Sequence, residues 1–342
     1  MKKIVISVIM MALLLLGCQK QELELERVFT ASVETFHPAT KTALTPDRTV
    51  VWSKNDRIAI FEGNTLASEY AIKDASVGKS EGTFVKVMST GDVFYGGTEI
   101  PGNVLFYPYS DGLMLSRITA KDNKVAYSVS GVLLPKIQHY VAGSFSNGSF
   151  PMIAATETIE DNNVSFKNIL GAMELKLSGS LAVRSVMVKG NDGEILSGSA
   201  SVSTFFNDVA PTITMTSSDE ASKTVILDCG QAGVQLRKSE VTKFIISLPP
   251  TSFAKGFTVT ITDMAGKEHA LVTEVANPVL RSSILVMPEV ALGDGSEDDE
   301  PDVEIPAEGD YLDEYGINHG KGVNIGGVVW APVNCAPTLC FV

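Results

Sequence analysis

The chain has few of the residues on which catalytic and metal sites depend. Its 342 residues include only four histidines. They stand singly, without the close spacings that bind zinc: His37, His139, His269 and His319. The sequence therefore predicts no catalytic residue, no metal site and no cofactor, and we expect a protein that is not an enzyme.

Cysteine is also scarce, with four residues at Cys18, Cys229, Cys335 and Cys340. A cysteine nucleophile needs a histidine partner in the fold. Cys229 follows an apolar strand pattern at 225–227 and is predicted to lie in the core or at a strand end. Cys335 and Cys340 could pair with each other. With Cys18 set aside, three cysteines cannot all pair, so we expect disulfides to contribute little to the fold.

Positive charge is in deficit. There are 27 Lys and Arg against 40 Asp and Glu, for a net charge of −13, and no basic cluster. Because binding to phosphates requires clustered Lys and Arg, this composition excludes a nucleic-acid partner.

Long apolar runs are missing except near the N-terminus, where Lys2 and Lys3 precede an apolar run from Ile4 to Leu16. A membrane span needs roughly 20 apolar residues, so this run predicts an export signal. Cys18 follows Leu15-Leu16-Gly17 directly, which resembles the lipobox of bacterial lipoproteins. The resemblance implies cleavage before Cys18, lipid on Cys18, and a protein anchored outside the cytoplasm in the outer membrane. The alternative is an ordinary signal peptide with an incidental cysteine.

Apolar and polar residues alternate with period two in several short segments, such as 29–33, 173–177 and 257–261. This pattern predicts strands with one buried and one wet face. Turn residues such as Asn191-Asp192-Gly193 separate them, and no segment resembles a helix of ten residues or more. The pattern indicates an all-β protein built from sandwiches.

Composition suggests six segments. Residues 1–17 are the signal peptide, 18–27 a polar tether, and 28–160 and 161–292 two β-sandwich domains, divided at a polar break. Residues 293–310 form an acidic linker, and 311–342 an incomplete further segment. Residues 293–314 contain eleven acidic residues and no Lys or Arg. They lack the spaced acidic loop of calcium sites, which favours a solvated linker.

Residues 28–287 contain several short stretches that occur in order: Thr40-Lys41-Thr42, Val50-Val51-Trp52-Ser53-Lys54-Asn55-Asp56-Arg57-Ile58-Ala59-Ile60-Phe61, Gly82-Thr83-Phe84, Leu105-Phe106-Tyr107-Pro108-Tyr109, Val164-Ser165-Phe166-Lys167-Asn168, Gly171-Ala172-Met173-Glu174-Leu175 and Gly193-Glu194-Ile195-Leu196-Ser197-Gly198. After a lipobox, this set resembles the fimbrillin-like family of surface lipoproteins. The resemblance implies two tandem transthyretin-like (Greek-key) β-sandwich domains and a structural or adhesive role at the cell surface in a fimbrium.

The resemblance also implies a way of assembling. A trypsin-like protease removes the N-terminal strand, and a strand from another subunit fills the groove that remains. Candidate processing sites are Arg27, Lys41 and Arg48, although each could equally be an ordinary surface charge.

The tail from Tyr311 through Trp330-Ala331-Pro332-Val333-Asn334-Cys335 resembles the start of the Fibrobacter-type major paralogous domain. We interpret residues 311–342 as the beginning of a third domain that a truncated or frameshifted gene leaves incomplete. A shaft subunit would end on a donor strand, so this tail favours an anchor or accessory fimbrial subunit, with other fimbrial subunits as partners.

Aromatic residues offer a second interpretation. Trp52 is predicted to be core, whereas Tyr107 and Tyr109 are a candidate exposed aromatic patch. Such a patch would favour a surface glycan- or host-binding lipoprotein that does not polymerise.

Overall fold

The computed structural model describes residues 27–36, 50–87, 97–119, 125–205 and 209–293, and the backbone of 323–325 and 328–330. The described chain is all-β, as predicted, with two short 3₁₀ turns at Asp74–Ser76 and Glu220–Lys223. Within those ranges no helix is long and apolar enough to cross a membrane. Cys18, Lys41, Arg48, Cys335, Cys340 and residues 294–310 of the acidic linker lie outside the described residues, so the predictions made for them stay predictions.

The described strands up to residue 168 have between three and ten residues. In order they are β1 (Val28–Val33), β2 (Arg57–Asn64), β3 (Ser68–Ile72), β4 (Glu81–Lys86), β5 (Glu99–Tyr107), β6 (Met114–Thr119), β7 (Val125–Leu134), β8 (Ile137–His139), β9 (Met152–Ala155) and β10 (Asn163–Asn168).

The later strands have between two and nine residues. They are β11 (Gly171–Gly179), β12 (Ala182–Gly190), β13 (Gly198–Phe205), β14 (Thr212–Met215), β15 (Thr224–Asp228), β16 (Val234–Gln235), β17 (Thr242–Leu248), β18 (Phe257–Asp263), β19 (Glu268–Thr273), β20 (Ile284–Leu292), β21 (Val323–Ile325) and β22 (Val328–Trp330). The last two pair as an antiparallel hairpin inside the predicted third-domain fragment.

A closed barrel forms the first hydrophobic core. Its strand order is β1-β10-β9-β5-β2-β3-β4, and a four-stranded sheet, β14-β13-β7-β6, packs beside it. Alternate residues of the barrel strands point inward and are fully buried, among them Phe29, Ile58, Phe84, Val104 and Phe166. Tyr127 and Val202 of the neighbouring sheet belong to the same core. Closure leaves the barrel without an exposed edge strand.

Two further sheets enclose the second core. One has the order β17-β11-β20, and the other has the order β19-β18-β12-β15-β8, with β16 also paired to β12. The alternation predicted at 173–177 and 257–261 places Met173, Leu175, Val259 and Ile261 inside this core. The inward half of the period-two prediction is therefore confirmed for both strands.

Several strands pair across the predicted boundary at residue 160. β10 pairs with β1 and β9, and β13 pairs with β7. In return, β8 pairs in parallel with β15 in the second group of sheets. Sequential strands therefore do not form two separate blocks, and the division at 160/161 into tandem sandwich domains stays a prediction.

The two cores are joined by polar and apolar contacts. The Ser149 hydroxyl, next to Phe150 of the first core, lies 3.2 Å from the Ser247 hydroxyl of β17. A small apolar cluster, with Ala172 and Ile245 at its centre, packs against Phe36 and Phe145 between the two cores. The face of the β17-β11-β20 sheet opposite its core is therefore covered by the first part of the chain.

A pair of leucine truncations should separate core from surface. Leu175 is fully buried and Leu133 is 71% exposed. We expect Leu175→Ala to lower the free energy of unfolding by about 2–5 kcal/mol, because it leaves a cavity. Leu133→Ala should change it by about 0.5 kcal/mol or less. Urea unfolding followed by far-UV circular dichroism measures both, and equal losses would contradict the packing of the second core.

Candidate functional site

The N-terminal strand β1 is the candidate functional element, because it closes the barrel on both sides. It pairs antiparallel with β4, placing Phe29 opposite Phe84 and Ala31 opposite Gly82. It pairs in parallel with β10, placing Ala31 beside Val164. One strand at the start of the described chain therefore supplies backbone partners to two strands that lie far from it in sequence.

The inward side chains of β1 complete the core. Phe29 and Ala31 are fully buried, and the Phe29 ring meets Tyr70 edge-on with centroids 5.4 Å apart. The Arg27 guanidinium lies 4.8 Å from the centroid of the same ring. Fully burying a large apolar side chain contributes about 1.5–3 kcal/mol, so β1 is bound by its side chains as well as by its backbone.

The small residues Ala31 and Gly82 make room for Trp52. A Cβ atom on Gly82 would come within 2.7 Å of the indole ring, so only glycine fits there without a shift. The indole Nε1–H donates to the Ala31 carbonyl at 3.3 Å, and the ring packs edge-on against Phe84 at 4.9 Å. Trp52 is 2% exposed, which confirms that it is a core residue, and its position depends directly on β1.

A groove would remain between β4 and β10 if β1 were removed. It would offer unpaired backbone N–H and C=O groups on both walls, and an apolar floor where Phe29 and Ala31 now lie. Such a groove binds an extended strand with alternating apolar residues. Its chemistry is recognition of backbone and side chains rather than catalysis.

The candidate processing sites differ in their relation to β1. Arg27 pairs with Glu62 at 3.4 Å and also donates to the Ile159 carbonyl. It precedes β1, so a cut there leaves the strand attached. Lys41 and Arg48 lie between Phe36 and Val50, outside the described residues. A cut at either would separate β1 from β2 along the chain.

The aromatic patch predicted at Tyr107 and Tyr109 is not an exposed platform. Tyr107 is only 7% exposed because its ring packs against Trp52, with centroids 5.6 Å apart. Its hydroxyl lies 3.0 Å from Asp56 Oδ1 and 2.7 Å from Asn147 Oδ1. Tyr109 is half-buried, and its hydroxyl donates to Asp111. The two rings therefore have different surroundings.

A cavity of about 390 Å³ lies where the two cores meet. Its walls combine Trp52 and Tyr107 with Phe145, and Glu174 and Lys243 line it from the second core. Burial raises the pKa of the Asp56 carboxyl on the cavity wall. The sequence pattern placed Glu174 on a wet face, which is wrong. It is 1% exposed because the first part of the chain covers that side of β11.

Cys229 follows β15 and packs against the second core, as predicted. Burial, with a smaller contribution from Asp228, raises the pKa of its thiol to about 12. Since the thiolate is the reactive form, this thiol is held in its unreactive state. Among the described residues, no group of three or more His, Cys, Asp or Glu side chains is arranged to hold a metal ion.

No protein-family model and no curated protein matches the chain. Several solved structures resemble it. A candidate cell adhesion protein from Bacteroides ovatus has a TM-score of 0.42 and 12% identity, covering 78% of this chain and 92% of that one. A C-terminally truncated tip fimbrial protein from Porphyromonas gingivalis has a TM-score of 0.29 and 10% identity, covering 77% and 96%. A fimbrial assembly protein from Parabacteroides distasonis has a TM-score of 0.28 and 13% identity, covering 78% and 91%. These likenesses are too broad to assign a role to any residue.

Truncating the inward side of β1 should loosen the barrel. We expect Phe29→Ala to lower the free energy of unfolding by about 3–5 kcal/mol and to speed amide hydrogen exchange in β1 and β4. Thr30 is half-buried and points outward, so Thr30→Ala should cost about 1 kcal/mol or less. Exchange measured by mass spectrometry checks both. Unchanged exchange in β4 of the Phe29 variant would contradict the role of this side chain in seating β1.

Alkylation should report the raised pKa of Cys229. Between pH 8 and 10 we expect its rate with iodoacetamide to rise about tenfold per pH unit, because the thiolate fraction is still growing in proportion. In urea the same peptide should level off near pH 9, as ordinary thiols do. Peptide-level mass spectrometry separates Cys229 from the other cysteines. A plateau near pH 9 in the folded protein would overturn the assignment.

Proposed function

We propose that this chain is a structural, adhesive lipoprotein of the bacterial cell surface, anchored through lipid on Cys18 to the outer membrane. It acts as an anchor or accessory fimbrial subunit through strand-mediated contacts with other subunits. The signal peptide, tether, two sandwich domains, acidic linker and third-domain fragment keep the residue ranges given above. Its work is assembly and adhesion rather than catalysis.

The observation that carries this proposal is the position of β1. It is the first described strand, it is paired on both sides, and it is joined to β2 through a segment that contains Lys41 and Arg48. A cut between Phe36 and Val50 separates this strand from the chain without interrupting any other strand of the described residues. The backbone N–H and C=O groups of β4 and β10 that had bonded to β1 can then bond to a replacement strand.

The order of these features along the chain has a further consequence. Cys18 and β1 both precede Lys41, so one cut at Lys41 or Arg48 separates the body from its lipid and from its strand together. An uncut chain stays anchored with its own β1 in place. A cut chain that then releases β1 is free of the membrane and has an open groove. The anchored and the polymerising forms are therefore two processing states.

Sheared surface material should contain the cut form. On immunoblots of unboiled samples we expect a ladder that collapses on boiling, with N-termini at Thr42 or Thr49. The membrane fraction should hold uncut chain as monomer. The double variant Lys41→Gln/Arg48→Gln should lose the ladder, whereas Arg27→Gln should keep it, because only the former changes residues between β1 and β2.

An N-terminus at Val28 in the ladder would contradict this account, since β1 would then still be attached. A single monomer band confined to the membrane would contradict polymerisation itself.

The second candidate is a surface glycan- or host-binding lipoprotein that does not polymerise. The cavity between the two cores favours it, because aromatic rings such as Phe145 line it beside polar groups such as Lys243. Isothermal titration of the purified protein with oligosaccharides tests it. Binding that Lys243→Ala abolishes, together with the monomer band, would support this candidate. If no oligosaccharide gives a heat of binding, the glycan-binding candidate is wrong.

A further inference from the structure

A carboxylate just beyond β1 is bound by residues from distant parts of the chain. The Arg281 guanidinium donates two hydrogen bonds to the Glu34 carboxylate, from Nη1 to Oε2 at 2.6 Å and from Nη2 to Oε1 at 3.0 Å. The backbone amide of Asn168 donates to the same Oε2 at 2.9 Å. The Glu34 and Arg281 side chains are only 21% and 22% exposed. Such paired, charge-assisted hydrogen bonds are among the strongest that proteins make.

The same residues also bind the backbone of this segment. The Asn168 side-chain amide donates to the Glu34 carbonyl at 3.1 Å, and the Ser282 hydroxyl donates to the Thr35 carbonyl at 3.3 Å. Asn168 and Ser282 are fully buried. The site therefore recognises a carboxylate and two consecutive carbonyl groups on the strand that enters it.

The receiving side is held together without Glu34. Arg281 Nη1 also donates to the Asn168 carbonyl at 2.8 Å. The Asn168 side chain donates to Ser282 Oγ at 2.9 Å, and the Ser282 amide donates to the Leu170 carbonyl at 2.8 Å. These bonds join the end of β10 to the segment before β20. None of these bonds involves β1 or Glu34, so we expect them to hold the site in place for a new occupant when the strand leaves.

The carboxylate also fixes the register of the strand. Phe29 and Ala31 point into the barrel and Glu34 meets Arg281, while Phe36 packs against Phe150 with ring centroids 5.1 Å apart. A slip of two residues would keep the alternation but would put Ser32 or Phe36 at Arg281. The half-buried guanidinium would then lose its ionic partner, which is costly.

We propose that Arg281, Asn168 and Ser282 form a carboxylate-reading site that selects and registers the strand bound between β4 and β10. This inference rests on the proposed strand exchange. The first occupant is the chain's own segment with Glu34. After a cut at Lys41 or Arg48, the occupant is a strand of a second subunit that carries an acidic side chain at the position of Glu34.

Peptide exchange into the full chain tests the proposal. The purified protein is cut by limited trypsin digestion, and the cut between Phe36 and Val50 is verified by mass spectrometry. A fluorescent peptide with the sequence of residues 28–36 is added in excess, next to the same peptide with Glu34→Gln. We expect the Glu peptide to bind roughly ten- to a hundredfold tighter by fluorescence anisotropy, because it alone keeps the ionic pair.

Protein variants then identify the reader of the carboxylate. Arg281→Ala should remove the difference between the two peptides, and Arg281→Lys should keep only part of it, since lysine lacks the two-armed geometry. The matched control is Arg237→Ala. It removes another arginine paired with a glutamate, at 3.3 Å and with 74% exposure. This variant should bind both peptides as the unmodified protein does.

The outcomes separate the two claims. If neither peptide binds the cut protein, strand exchange fails, and this inference fails with it. If both bind equally, exchange stands and the carboxylate-reading site is overturned. A preference that survives Arg281→Ala would overturn the role of Arg281. The comparison of the two peptides needs no change in the protein, so it decides the matter even where the Arg281 variant does not fold.

Discussion

The backbone ladder that β1 makes with β4 and β10 is the interaction on which the first half of the structure depends. Six residues, Val28–Val33, close a barrel whose other strands all lie later in the chain. Without them two strands become open edges, which natural proteins avoid exposing. Closure of the barrel therefore depends on a single strand.

Packing reinforces this dependence from two directions. Toward the barrel, the Ala31 and Gly82 pair leaves the space that the Trp52 ring fills, so the indole rests on β1. Toward the second core, Glu34 and Phe36 carry the segment after β1 onto Arg281 and the apolar cluster between the cores. One short segment therefore contributes to the barrel, to the junction and to the position of the second core. Removing this segment would therefore remove contacts from the barrel, from the junction and from the second core.

Much of the local structure follows from the sequence, but little of the pairing does. Period-two alternation identifies the inward residues of β11 and β18, because it reports which face of a strand is apolar. It cannot report which strand lies beside it, so the exchange of β8, β10 and β13 across residue 160 has no signal in the sequence. Glu174 was misplaced for the same reason, since a polar side chain can face another part of the protein rather than water.

The candidate site shows the same division. The core position of Trp52 was predictable from the sequence, whereas the burial of Tyr107 was not, since an aromatic residue at a strand end can turn inward as easily as outward. The sequence alone does not distinguish Arg27 from Lys41 and Arg48. In the structure Arg27 precedes β1 and forms an ion pair with Glu62. The partnership of Glu34 with Arg281 joins residues 247 positions apart, a distance at which no spacing rule operates.

That long separation bears on how the protein is made. A chain grows from its N-terminus, so β1 exists before any of its partners. The Glu34 side chain can bind Asn168 only after 134 more residues have been made, and it can bind Arg281 only later still. Contacts of such high order form late, because a long loop must close first. β4 can therefore pair with β1 early, whereas the bonds of Glu34 to Asn168 and Arg281 need most of the described chain to be complete.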